Sequence, residues 1–456
     1  MVATKMNIAR TVLTAAFLAL TTQAAVSADL PQATQNLLKQ LGKKASLLAG
    51  VDKELAVPQA WIAAARKEGA MTLGGSWDHE QYLRMIAPFS ERYPFIKIAY
   101  NRASRHDRVM KPLIAFRSGR ILTDVIQGVG GRFHIFQELK AVVDMRNLPG
   151  WNNIPDQIRH PEGYWIGFRL RHWCMAYNTK LVAKKDLPKT WDDIVSNPRW
   201  HNKKIGLGNR PNLWLANMWG VKGEGWAKNY MKNLFGVVKP QLRKEGMNAL
   251  VSLVVAGEFH ASMPSAPDRV TEYMTKGAPV AWHCPEPVPT ASTGIVIVKG
   301  TPHLNASRLF VNWLISKEGQ LAQYGADGNP PAHKDMQSKD FLIFPDEVVG
   351  KETAFLNVGL IHKAMPQVMK AWNPLWLAGR GIKLVTLKTK IEGLKRKGRR
   401  VVVKNGGKTH TLKVSDSRTK IIVGGVAGDR TKLKVGMSCE IVYPGKNREE
   451  AKKITC

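Results

Sequence analysis

Three prolines spaced two apart, between two apolar runs, constrain this chain more than any other stretch. They fall in GAPVAWHCPEPVPTASTGIVIVKGTPHLNASRLFVNWLISKEGQ, residues 277–320. Ala278 to Trp282 forms a short apolar run. Pro285, Pro287 and Pro289 then exclude a helix and donate nothing to a β-ladder. Gly294 to Val298 is a second run, rich in Ile and Val and bounded by Gly300. Behind Asn305, suited to capping a helix, Leu309, Phe310, Trp313 and Leu314 recur at helical spacing. Strand, turn, strand and helix in this order belong to an α/β core.

The first third of the chain repeats the theme. Pro58, Trp61, Ile62 and Ala65 read as a helix start and Gly69 as its end. Met71–Leu73 reads as a strand running into Gly74-Gly75-Ser76-Trp77-Asp78. A helix carrying Tyr82, Leu83, Ile86 and Phe89 follows, and Tyr93–Tyr100 holds the next strand. A helix around Val109–Ser118 leads to a third strand, Thr123–Gln127, which ends at Gly128, Gly130 and Gly131. That alternation predicts a parallel sheet, with ligands expected beyond the carboxyl ends of its strands.

Specific wording narrows the class. Gly277-x-Pro279-Val280-x-Trp282, Gly294-Ile295-x-Ile297-Val298-Lys299-Gly300-x-Pro302-His303 and Phe310-x-x-Trp313-Leu314-x-Ser316-x-Glu318-Gly319-Gln320 resemble the tail of bacterial extracellular solute-binding proteins of the ferric-iron-binding type. Trp61-Ile62-x-Ala64-Ala65-x-Lys67-Glu68-Gly69 and Phe89–Ile98 resemble the family's opening. Tyr177-Asn178-Thr179, Pro188-x-Thr190-Trp191 and Pro198-Arg199-Trp200 resemble its middle. The resemblance runs from about residue 55 to about residue 375. It implies an α/β, two-lobed type II periplasmic-binding-protein fold that closes on a ligand, and the capture subunit of an ABC importer, with a permease and ATPase as partners.

Lys5 and Arg10 precede the apolar run Val12–Leu20, and Val26-Ser27-Ala28 supplies small residues. This reads as a signal peptide cleaved after Ala28, delivering the chain to the periplasm. Residues 29–57 read as a helical extension, 58–165 with 285–378 as a discontinuous first lobe, and 166–284 as the second. The strands near 164–176 and 278–286 are expected to cross between them. Four cysteines suit an oxidising compartment, and their spacings match no zinc signature. Cys439 and Cys456 flank an expected hairpin, while Cys174 and Cys284 each lie on or beside an expected strand. Spacing alone leaves the connectivity open.

The chain carries no Gly-x-Ser-x-Gly, Walker loop or His-Glu-x-x-His, so no catalytic residue is assigned and the protein reads as a non-enzyme without a cofactor. In the iron-binding members, adjacent tyrosines, a His and a Glu hold ferric iron. Here the tyrosine positions read Met263-Pro264-Ser265-Ala266-Pro267 and the Glu position reads Gly128-Val129-Gly130, leaving only His79 near a ligand position. Hard anionic donors are what Fe(III) needs, so no metal site is assigned. The expected ligand is a small anionic organic solute. Its candidate residues follow strands: Ser76 and Trp77, Gly128 and Arg132, Asn209 and Arg210, Ser262 and Ser265. Arg132 and Arg210 suit a carboxylate or phosphate, though each alone also reads as a solvated surface charge, and Trp77 and Trp173 equally suit the core.

The net charge is +33, which attracts anions at long range. Residues 380–456 alone hold 21 Lys/Arg against 6 Asp/Glu, with one aromatic residue, Tyr443. Short Val/Ile/Thr runs between turns predict a small all-β domain. One aromatic is too few for base stacking, so nucleic acid is not expected. The alternative role for this tail is contact with acidic polymers or an anionic membrane surface. The protein is expected to act as a monomer.

Overall fold

The computed structural model describes residues 30–355, 358–415 and 419–456, so the expected signal peptide lies outside the described residues. Eleven strands build two sheets. They are β1 (Ala70–Gly75), β2 (Lys97–Arg102), β3 (Val125–Gln127), β4 (Ile166–His172), β5 (Cys174–Asn178), β6 (Ile205–Gly208), β7 (Gln241–Arg243), β8 (Ala261–Ser265), β9 (Val280–His283), β10 (Val288–Ile297) and β11 (Thr353–Phe355). The first sheet runs β11-β10-β3-β1-β2, with β4 also on β10, and the second runs β7-β6-β8-β5-β9. Strands β2, β1 and β3 are parallel, as the alternating strand–helix pattern predicts, while β10 joins β3 and β4 antiparallel. The two-lobed α/β architecture expected from the sequence is therefore present.

Each lobe closes over its own core. Met71, Leu73, Met85, Phe89, Ile295, Phe310 and Trp313 pack in the first. The second is dominated by tryptophans, including Trp191, Trp200 and Trp214. Residues 30–57 lie on the first lobe, where Leu38, Leu48 and Val51 join its core and Thr34 donates to the buried Glu318 at 2.8 Å. One capping expectation is corrected. The helix Leu304–Ile315 starts one residue before Asn305, and its first turn is capped from elsewhere. Glu68 accepts from the Asn305 and Ala306 amides at 3.1 and 2.7 Å, a favourable place for a carboxylate.

Two lobe boundaries also move. Strand β4, read as second-lobe from residue 166, pairs along β10 in the first sheet, so the chain crosses only between His172 and Cys174. The helix Val358–Gly379, read as first-lobe, buries Val368, Trp372 and Trp376 in the second lobe's core. Positions 361, 365, 368, 372 and 376 fall on one stripe at helical spacing, and the helix carries Pro366 and Pro374 within it. At its start His362 stacks on His134 of the first lobe, ring centroids 4.7 Å apart. This closing helix touches both lobes.

Cys174, opening β5, is disulfide-bonded to Cys284, just past β9, joining the two crossing segments. The third sheet is formed by β12 (Val385–Lys395), β13 (Arg400–Asn405), β14 (Lys408–Lys413), β15 (Lys420–Val423), β16 (Val426–Gly428), β17 (Ser438–Tyr443) and β18 (Lys453–Thr455). Its order is β14-β13-β12-β17-β18-β15-β16. Val401, Val403, Leu412, Ile441, Tyr443 and Ile454 fill its core, and Cys439 is bonded to Cys456. No helix among the described residues is long and apolar enough to cross a membrane.

Candidate functional site

The carboxyl ends of β1, β2 and β3 converge on one buried side chain. Arg108 donates Nε–H to the Gln127 carbonyl at 2.6 Å, and Nη1–H to those of Gly75 and Ala103 at 3.2 and 2.7 Å. Gly128 sits against this guanidinium with φ +76°, and a Cβ there would lie 2.7 Å from Arg108 Nη2. Only glycine meets both demands. Gly128 is thus placed by packing.

A line of polar groups leaves this floor. The Ser76 hydroxyl donates to Gln127 Oε1 at 3.0 Å and accepts from Arg169 Nη2 at 3.3 Å. Arg169 and Arg171 alternate on β4 and share a face. Arg169 lies over the Trp77 ring at 5.4 Å and is ion-paired with Asp327. Burial pulls its pKa down, an effect the Asp327 carboxylate opposes. Arg171 lies over Trp173 at 5.0 Å and donates to Asp268 Oδ2 at 2.6 Å. Asp268 is in the first turn of the helix Pro267–Met274, which follows β8 in the second lobe. The line therefore runs from the first lobe, along β4 of its sheet, to Asp268 of the second.

Three buried polar atoms along this line lack a partner among the described residues. Gln127 is fully buried, yet its Nε2 donors have no partner among the described residues, and the same holds for Arg171 Nε and Asp268 Oδ1. A buried polar atom left unpaired costs roughly 1–3 kcal/mol, so each of these atoms would gain from an external hydrogen-bond partner.

The remaining expected ligand residues are placed as follows. Trp77 is buried between Tyr100 and Phe168. Asn209 is exposed beyond β6, and its Oδ1 accepts from Trp372 Nε1 of the closing helix at 2.8 Å. Arg132 is half-buried in a turn packed on that helix, and Arg210 is exposed. Ser262 and Ser265 lie within β8, fully buried, and their hydroxyls have no partner among the described residues. The structure joins Ser76 to the polar line and gives Trp77 to its wall. Gln127, Arg169, Arg171 and Asp268 were missed. For the two arginines the signal was the segment Phe168-Arg-Leu-Arg-His172, where they alternate with apolar residues.

His79, the one residue near an iron-ligand position, opens a helix and is exposed. Tyr273 bonds Ser252. Among the described residues no three His, Cys, Asp or Glu side chains are grouped to hold a metal ion.

Residues 84–347, more than half of the chain, match the family described as bacterial extracellular solute-binding protein. The chain belongs to that family. Iron uptake protein A2 of Synechocystis sp. (strain ATCC 27184 / PCC 6803 / Kazusa) is 26% identical over 193 residues, 39% of this chain and 54% of that protein. The chain thus spans about half the length of the curated relatives it matches. Iron-bound HitA from Pseudomonas aeruginosa shares the fold at TM-score 0.57 and 17% identity, covering 67% of this chain and 99% of HitA. The Trichodesmium protein IdiA (FutA), solved with iron and citrate, does so at TM-score 0.57 and 19% identity over 67% and 99%. This solute-binding protein is, like its family, not an enzyme. The family match ends at residue 347, before the closing helix and the β domain.

Proposed function

We propose that the two lobes are the substrate-binding subunit of an ABC importer, capturing a small anionic organic solute in the periplasm for a membrane permease and its ATPase. The observation that carries the ligand class is the pair of buried, unpartnered donors, Gln127 Nε2 and Arg171 Nε, on a floor reaching both lobes. A carboxylate or phosphonate accepts from both. The unpartnered Asp268 Oδ1 favours a solute that also carries a hydroxyl or ammonium donor. Relatives of known structure hold iron, but the exits of β3 and β8 here present Gly128, Ser265 and Pro267, with no phenolate and with the carboxylate of Asp268 already paired to Arg171, a poor donor set for Fe(III).

Thermal melting of the mature chain against hydroxy acids, amino acids, phosphonates, neutral sugars and ferric citrate tests this. Ligand binding raises the melting temperature by mass action. Anionic solutes are expected to stabilise, and Arg171→Gln to abolish the shift. Stabilisation by neutral sugars alone, or by ferric ion without an organic anion, overturns the reading.

A further inference from the structure

The β domain aligns like charges where a sheet ordinarily avoids them. Lys395 on β12 is in register with Arg400 on β13, which is in register with Lys413 on β14. Like charges directly opposite in a ladder are destabilising, and adjacent strands stand only about 4.8 Å apart. The hairpin tip beside this row adds Arg396, Lys397 and Arg399, all exposed. Arg396 and Lys397 hold positive φ of 52° and 55°, which glycine and asparagine adopt more readily. The tip is nonetheless fixed. The Arg399 amide donates to the Arg396 carbonyl at 3.2 Å, and Arg430 Nε donates to the Lys397 carbonyl at 3.2 Å. Arg430 begins a short turn, Arg430–Lys432, which brings Lys432 as well. Lys395, Arg396, Lys397, Arg399, Arg400 and Lys413 are in no ion pair with a carboxylate among the described residues. Glu449 and Glu450, whose backbones adjoin Lys413, stand at one end only.

We propose that this ladder and tip form a docking surface for an acidic polysaccharide of the extracellular space, a linear polymer with a repeating carboxylate. A row of cations on a fixed sheet matches anions repeated along a chain. Insertion into a bilayer would call for apolar groups on the same surface. None of the domain's large exposed apolar residues, Leu384, Val385, Val426 and Val435, belongs to the row or the hairpin tip, and Tyr443 is buried. The surface lies outside the family-matched residues and does not depend on the solute site.

The test is binding of the full mature chain to polygalacturonate at several salt concentrations. Lys395→Gln, Arg396→Gln, Lys397→Gln and Arg399→Gln together are expected to weaken it at least tenfold and to flatten its salt dependence. The same number of exposed lysines neutralised on the lobes (Lys39, Lys44, Lys184 and Lys185) is expected to change it less than twofold. Arg396→Asn with Lys397→Gly, which suits the turn and keeps the domain folded, is expected to weaken binding about threefold or more. Equal loss from the lobe variant overturns the proposal. So does binding to phosphatidylglycerol vesicles or duplex DNA in preference to the polymer, or polymer affinity unchanged by both tip variants.

Discussion

The Trp372 indole donates a 2.8 Å hydrogen bond to Asn209 Oδ1, so a residue of the closing helix takes up a polar group at a strand exit of the second lobe. Trp372 is fully buried, with Phe235 at 5.0 Å and Trp376 stacked at 5.9 Å. Asn209 is thereby a fastening point for the helix.

Two substitutions separate packing from hydrogen bonding at this contact. Trp372→Phe keeps most of the ring burial and is expected to cost about 1 kcal/mol for the lost bond. Trp372→Ala leaves a cavity among tryptophans and is expected to cost about 3–5 kcal/mol. Urea unfolding of both variants measures the difference. Similar losses for the two would mean that the ring is not packed as described.

Arg169 and Asp327 form the ion pair beneath the proposed solute floor, and both side chains are at least nine-tenths buried. Removing one charge strands the other. Asp327→Asn is therefore expected to destabilise the protein by about 3–5 kcal/mol, whereas Arg169→Met with Asp327→Leu is expected to recover much of that loss. Arg169→Met with Asp327→Leu also removes the donor to Ser76, so solute affinity should fall even where the melting temperature returns. Calorimetric melting, followed by solute titration, reads both.

Acid should loosen the segments that cross between the lobes. Burial holds the His172 pKa down at about 4, from an ordinary 6.5. The unfolded chain takes up that proton first, so stability is expected to fall as pH drops from about 6.5 towards 4. Glu347 is subject to burial, which pushes its pKa up, but His283 at 2.8 Å, the Cys284 amide and Lys351 outweigh this and hold it at about 2. Its stabilisation, on the order of 3 kcal/mol by linkage, is present above about 4.5 and lost as pH falls through 2. Melting temperature against pH should show both windows. His172→Asn should flatten the upper one and Glu347→Gln the lower. A profile unchanged by both would refute the assignment.

What was legible in the sequence follows from period and wording. The alternation of apolar runs with Gly-bounded turns fixed strand and helix identity through β1, β2 and β3, and the motifs from Gly277 to Gln320 pointed to the family. Contacts distant in sequence were not legible. Glu68 caps a helix more than 230 residues away, and no local pattern near Asn305 announces it. The closing helix carries two prolines, and its stripe names no partner, so the sequence did not place it on the second lobe. The proposed solute floor was missed because the expectation looked only to loops after strands, whereas Arg169 and Arg171 lie within β4 of the first sheet. Their alternation in an apolar segment was the available sign.

The two disulfides should respond differently to removal, because they close loops in different parts of the molecule. Cys439–Cys456 spans 17 residues inside the β domain. Its loss, as Cys439→Ser with Cys456→Ser, is expected to cost about 3 kcal/mol on the loop-entropy scale. The penalty should appear only in the transition of the β domain, which has a core of its own. Cys174–Cys284 spans 110 residues and ties together the two segments that pass between the lobes. Cys174→Ser with Cys284→Ser is expected to cost about 4–5 kcal/mol on the same scale and to lower the transition of both lobes together. Calorimetry on the two double variants separates these outcomes. If removing Cys174–Cys284 shifted only one lobe's transition, the crossing segments would not couple the lobes, and closure on a solute would need another hinge.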